Sequence, residues 1–148
     1  VCKREEVTRP LNSTIPEDGS VTAERPQEIL IVDDNPLMTR LLTELLEDEG
    51  YRAIAVDGVN VLDAARENPP RLIILDVLMP GVDGPGVCRQ LRADARTAAI
   101  PIVFISALPP ATLALRLQDC PYDAFIPKPF EIEQVVSTIQ GLLYPPPD

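Results

Sequence analysis

Two uninterrupted apolar runs, Ile29-Leu30-Ile31-Val32 and Leu72-Ile73-Ile74-Leu75, constrain this chain more than any other feature. An alternating strand can leave one face wet. A run without alternation needs cover on both faces, as in a parallel sheet layered between helices. A third run, Ile100 to Ser106, carries a proline near its start. Each run gives way to a polar residue: Asp33-Asp34 after the first, Asp76 after the second and Ser106 at the end of the third.

The segments between these runs read as helices and short strands. Pro36 suits a helix start, with Asp34 or Asn35 as its cap. Leu37, Met38, Leu41, Leu42, Leu45 and Leu46 then recur at helical spacing until Gly50. Glu44, Glu47, Asp48 and Glu49 form the solvated face of that helix. Arg52 to Val56 reads as a strand, and Val59 to Asn68 as a helix ended by Pro69-Pro70. A weaker helix covers about Pro85 to Arg92, its start loosened by Gly84 and Gly86. Thr112 to Asp119 predicts a helix stopped by Pro121, Ala124 to Ile126 a strand, and Ile132 to Leu143 the last helix. Five strand–helix units with short connections predict an α/β fold, an open, doubly wound parallel sheet of five strands with five helices. In such sheets functional groups gather beyond the carboxyl ends of the strands, where the strand order reverses.

The 148 residues suit one domain, expected over 28–143. Residues 1–27, with mixed charges and three prolines, read as a flexible tail or linker, and 144–148 as a proline-rich end. A chain that begins at Val1 is expected to be a processed form or an excised piece.

Composition matters mainly for what it excludes. A formal charge of −10 argues against direct nucleic-acid binding, which wants basic stripes, and favours proteins or cations as partners. No apolar run approaches the roughly 18 to 20 residues of a membrane span. Cys2, Cys88 and Cys120 are widely spaced and read as the reduced thiols of a cytoplasmic protein. The absence of histidine removes His-based zinc sites and every Ser-His or Cys-His nucleophile pair.

The strand ends carry the chemistry. Under the predicted fold Asp33, Asp34, Asp76, Ser106 and Lys128 point into one crevice. Three carboxylates facing one lysine repel one another unless a cation joins them, and oxygen-only ligands favour a hard ion such as Mg²⁺. A carboxylate beside Mg²⁺ can act as a nucleophile toward phosphorus, with an ammonium and a hydroxyl to meet the phosphoryl oxygens.

The acidic pair in ILIVDDNP, the strand-end Asp in LIILDVLMPGVDG, the hydroxyl in PIVFISA and the lysine in FIPKPF together resemble the receiver domain of two-component response regulators, over about residues 28 to 143. The resemblance implies a CheY-like fold with strand order 2-1-3-4-5. It implies that Asp76 is the phosphoacceptor, that Asp34 holds Mg²⁺ directly and Asp33 through water, and that the Leu78 carbonyl is a further ligand. Ser106 and Lys128 would bond phosphoryl oxygens, and Phe125 would be the aromatic that rotates inward when Ser106 moves. Lys128-Pro129 matches a peptide bond that is cis in the family. The partners it implies are a histidine kinase or histidine phosphotransfer protein and a downstream protein target, with a homodimer left open. A receiver assists its own phosphorylation yet acts as a switch, not as a turnover enzyme.

Departures fall on the output side: Pro109-Pro110 close after Ser106, and Pro121-Tyr122 where Gly-Ala is usual. They leave the form of the conformational change open. A dehalogenase-like phosphatase would want a second acid two residues after its nucleophile, where this chain has Leu78. A flavodoxin-like binder would need a phosphate-cradling loop where Asp33-Asp34-Asn35 would repel the ligand. A receiver used only for docking would lack the phosphorylation response.

Overall fold

The computed structural model describes residues 28–144, so the expected tail over 1–27 and the last four residues of the expected proline-rich end lie outside the described residues. Five parallel strands form one sheet: β1 (Glu28–Val32), β2 (Arg52–Ala55), β3 (Leu72–Asp76), β4 (Ile102–Ser106) and β5 (Ala124–Pro127), in the order β2-β1-β3-β4-β5. The helices between and after them are α1 (Pro36–Asp48), α2 (Val61–Glu67), α3 (Gly84–Ala93), α4 (Pro110–Arg116) and α5 (Ile132–Leu143). The expected fold class and strand order are those observed.

The uninterrupted apolar runs are explained by cover on both faces. Side chains alternate across a strand, so Ile29 and Ile31 join Leu72, Ile74, Val103 and Ile105 on the face packed with residues of α1 and α5. Leu30 and Val32 join Ile73, Leu75, Ile102 and Phe104 on the opposite face, against residues of α2, α3 and α4. β3 and β4 are buried along their whole length, while the edge strands β2 and β5 are not.

The chain runs from β1 outward to β2, then returns across β1 to lay down β3 on its other side. Strand order therefore reverses between β1 and β3, and the loops leaving these two strands diverge to leave a crevice. Asp33-Asp34 and Asp76 stand at its edge.

Local chemistry fixes the helix ends. The Asn35 side chain accepts from the backbone N–H of Leu37 (3.0 Å) and Met38 (3.4 Å), with Pro36 as the first helical residue of α1. At the other end Gly50 takes a positive φ of 93°, and paired bonds from Tyr51 N–H to Leu46 and from Gly50 N–H to Glu47 close the helix.

Several boundaries differ from the sequence reading, and four of them have a clear local reason. α2 begins at Val61 because the Asp57 carboxylate accepts from the Asn60 N–H and side-chain amide, holding 57–60 in a turn. β4 begins at Ile102 because Pro101 has no N–H to give, and the Ile100 N–H is spent on Thr97. α4 runs Pro110–Arg116, earlier than expected, because Pro110 is already set for the first helical turn. The start of α3 is tight where the two glycines suggested a loose one. Gly84 is buried, its N–H donates to the Val77 carbonyl (3.2 Å), and a side chain there would strike the Asp76 carbonyl oxygen. Past Asp76 the chain forms a small antiparallel hairpin pairing Leu78–Met79 with Val82–Asp83, and Gly81 supplies the positive φ (73°).

Candidate functional site

Each strand end delivers one part of the site. β1 runs directly into Asp33 and Asp34, and the Asp33 carboxylate accepts from the Asn35 N–H at 2.9 Å. Because Asn35 caps the helix, Asp34 is left exposed at the mouth of the crevice. β3 ends on Asp76, which is 7% exposed and accepts from the Leu78 N–H at 3.4 Å. One ligand oxygen from each of Asp33, Asp34 and Asp76 can be chosen so that all lie within 4.8 Å of one another.

Lys128 is the one lysine among the described residues, and it leaves the end of β5 to reach this cluster. Its Nζ lies 3.1 Å from Asp33 Oδ2 and 3.7 Å from Asp76 Oδ2. The Lys128 N–H donates to the Ser106 carbonyl at 2.9 Å, so the ends of β4 and β5 are tied together directly behind the lysine. The Lys128-Pro129 bond is cis.

Three carboxylates facing one ammonium leave an uncompensated negative charge. Its effect falls on Asp76, whose pKa is pushed up to about 6. Burial is the main cause and the Asp33 charge the next, while Lys128 and the Leu78 N–H pull the other way. Hard oxygen donors, unbalanced charge and one exposed carboxylate suit a divalent cation such as Mg²⁺, and nothing in the donor set favours a soft metal.

Ser106 is buried, and its hydroxyl oxygen accepts from the Leu108 N–H at 3.1 Å. Asp76 sits opposite Ile105 in the sheet, so Ser106 lies one residue beyond it on the neighbouring strand. Phe125 is half-buried and opposite Phe104, so Phe104, Ser106 and Phe125 share one face of the sheet. Leu78, immediately past the site, is 45% exposed.

The sequence reading missed Asp57. It lines a cavity of about 300 Å³ that opens beside Asp33 and Asp34, with Pro36, Thr39 and Val56. Its place just after β2, beside β1, is the signal that could have revealed it. A larger cavity of about 520 Å³ lies elsewhere, between α2 and α3, where Arg66 and Asp94 neutralise each other at 2.7 Å. No helix among the described residues is long and apolar enough to cross a membrane.

Known proteins resemble this chain in sequence and fold. The response regulator receiver domain family matches residues 29–140. The DNA-binding dual master transcriptional regulator RpaA of Synechocystis is 39% identical over 116 residues, 78% of this chain and 48% of that protein. The chain thus spans about half the length of the curated relatives it matches. Among solved structures, the receiver domain of a signal transduction histidine kinase from Syntrophus aciditrophicus superposes with a TM-score of 0.74 at 35% identity, covering 79% of this chain and 89% of that one. The receiver domain of a sensor histidine kinase from Pseudomonas aeruginosa, with a magnesium ion coordinated in its active site cleft, gives 0.75 at 26% identity, covering 80% and 98%.

Proposed function

The chain belongs to the response regulator receiver domain family and is a two-component receiver, and on that premise we propose that Asp76 accepts a phosphoryl group from a phosphohistidine on a histidine kinase or phosphotransfer protein. The observation that carries the proposal is the meeting of Asp33, Asp34 and Asp76 around Lys128 at the switch point of the sheet. Receiver domains are signalling switches, and this site is read as one that assists its own modification.

In this reading the Asp76 carboxylate attacks phosphorus and becomes an acyl phosphate, and the donor's imidazole leaves. Lys128 gives up part of its pairing with Asp76 to meet a phosphoryl oxygen, and the Ser106 hydroxyl meets another. Asp33, Asp34, Asp76 and the Leu78 carbonyl would hold Mg²⁺, which supplies positive charge against the phosphoryl oxygens when bound. Burial of Asp76 limits the access of bulk water to the new acyl phosphate. Ser106 and Phe125 share a sheet face, which suits a coupled movement that changes the surface offered to a downstream protein.

Acetyl phosphate with Mg²⁺ is expected to add one phosphate per chain, by intact mass, and EDTA should block it. A chain that stays unmodified under these conditions while it remains folded would favour a docking module that works without phosphorylation. DNA binding is a property in the name of the longer relative, and the acidic charge of this chain gives it no basis here.

A second expectation concerns the lifetime of the phosphate. Leu78 and Leu108 stand two residues beyond Asp76 and Ser106, and neither side chain can orient an attacking water. Phospho-Asp76 is therefore expected to be comparatively long-lived. Leu78→Asn and Leu108→Glu should each release phosphate several-fold faster in Mg²⁺, and unchanged decay curves would defeat the idea.

A further inference from the structure

A pair of thiols lies outside the phosphoryl site and takes no part in it. Cys88 on α3 and Cys120, just before β5, are both free and buried, at 0% and 5% exposure. They lie in the same apolar cluster beneath the sheet face that carries Phe104 and Phe125. The Cys88 thiol donates to the carbonyl of Pro121, the residue next to Cys120, at 3.6 Å, and the two thiols influence each other electrostatically. Thirty-two positions separate the two residues in the chain, so the fold alone brings them together.

The turn that holds Cys120 is fixed against α3 from its other side. Arg92 donates from Nε to the Pro121 carbonyl (2.7 Å) and from Nη2 to Asp123 (2.6 Å), and Asp123 also accepts from the Ile102 N–H (2.8 Å). The same turn presents Tyr122, whose ring stands edge-on to Phe104 at 5.6 Å. The turn that carries Cys120 is therefore held in place against the helix that carries Cys88.

We propose that Cys88 and Cys120 form an oxidisable dithiol whose disulfide clamps α3 to the turn before β5. Burial raises the Cys120 thiol, while the neighbouring Cys88 thiol and the positive charges of Arg89 and Arg92 act against that rise, and Cys120 is therefore assigned the first attack. Burial raises both thiols above their ordinary pKa, which makes the reaction slow and confines it to moments when the turn opens. The oxidant is of the peroxide class. The Cys120 sulfur attacks one peroxide oxygen, the O–O bond breaks, and hydroxide leaves with a sulfenic acid on Cys120. Cys88 then attacks that sulfur, the S–O bond breaks, and water leaves as the S–S bond closes to about 2.05 Å. Two electrons pass from the sulfurs to oxygen. The disulfide joins α3 to the turn carrying Tyr122, beside the face that holds Phe125 and Ser106, and this chemistry is independent of phosphoryl acceptance at Asp76.

The test treats the full chain with hydrogen peroxide, counts free thiols, and maps peptides without reduction. Two thiols are expected to disappear per chain, in a linked Cys88–Cys120 peptide that dithiothreitol separates. Cys2→Ser should give the same link, and Cys120→Ser should give none. Mapping the wild type keeps the result independent of how any variant folds. Recovery of Cys88 and Cys120 as free thiols, or their linkage only to Cys2 or between chains, would overturn the inference.

Discussion

Asp76→Asn is expected to abolish phosphoryl acceptance and, in the same molecule, to make the metal-free protein more stable by roughly 2–3 kcal/mol at neutral pH. The two effects have one origin. Asp76 is held beside Asp33 and Asp34 with a single ammonium among them, and burial has already weakened its hydration. The folded state thus raises its pKa from 3.8 to about 6. A raised carboxylate pKa means that folding favours the protonated form. Above about pH 6 the ionised group works against the fold, and below the unfolded value of 3.8 the cost is gone. Asparagine keeps an oxygen for the Leu78 N–H and leaves Lys128 its shorter contact with Asp33.

The advantage of Asn should therefore be complete above pH 6 and fade as pH falls toward 4, close to the unfolded value. It should also shrink in Mg²⁺, because an ion bound by the wild-type carboxylates stabilises the folded state by mass action. Urea denaturation of both proteins at pH 7.5 and 4.5, in EDTA and in Mg²⁺, would measure this. A variant no more stable than wild type at pH 7.5 in EDTA would refute the charge conflict at this site, whatever its phosphorylation.

What could be read from the sequence follows from how each feature is encoded. Burial on both sides is written along the chain as Ile29-Leu30-Ile31-Val32 and Leu72-Ile73-Ile74-Leu75, so the central strands and their polar ends were legible. Helix caps are equally local, and Asn35-Pro36 marks the start of α1 to the residue. The meeting of Asp33, Asp76 and Lys128 needed the topology as well, and the resemblance to a family supplied the roles it suggests. Contacts that exist only through space left no local trace. Arg92 reaches Asp123 across 31 positions, and Cys88 faces the Cys120–Pro121 turn in the same way. Short polar turns were also misjudged, because Asp57 competes for backbone donors that a propensity reading assigns to the helix.

Gly84 and Gly141 turn that difference into opposite expected signs for one substitution. Read locally, each is a helical glycine, and replacement by alanine should stabilise by about 1 kcal/mol. At Gly141, on the exposed face of α5, an added Cβ meets nothing within 4 Å, so Gly141→Ala should gain that stability, in part, since it lies near the helix end. At Gly84 the added Cβ would strike the Asp76 carbonyl oxygen and press on the Val77 carbonyl at 2.8 Å and the Val77 Cα at 2.9 Å. These are backbone atoms that cannot swing aside as a side chain could. Overpacking against backbone costs about 3 kcal/mol or more, which overwhelms the gain in propensity. Relief would require moving the start of α3 or the end of β3, and the latter carries Asp76. Gly84→Ala should therefore lower the denaturation midpoint and slow labelling by acetyl phosphate, whereas Gly141→Ala should raise the midpoint and label at the wild-type rate. If both variants gained stability alike, the close approach of α3 to the end of β3 would be refuted.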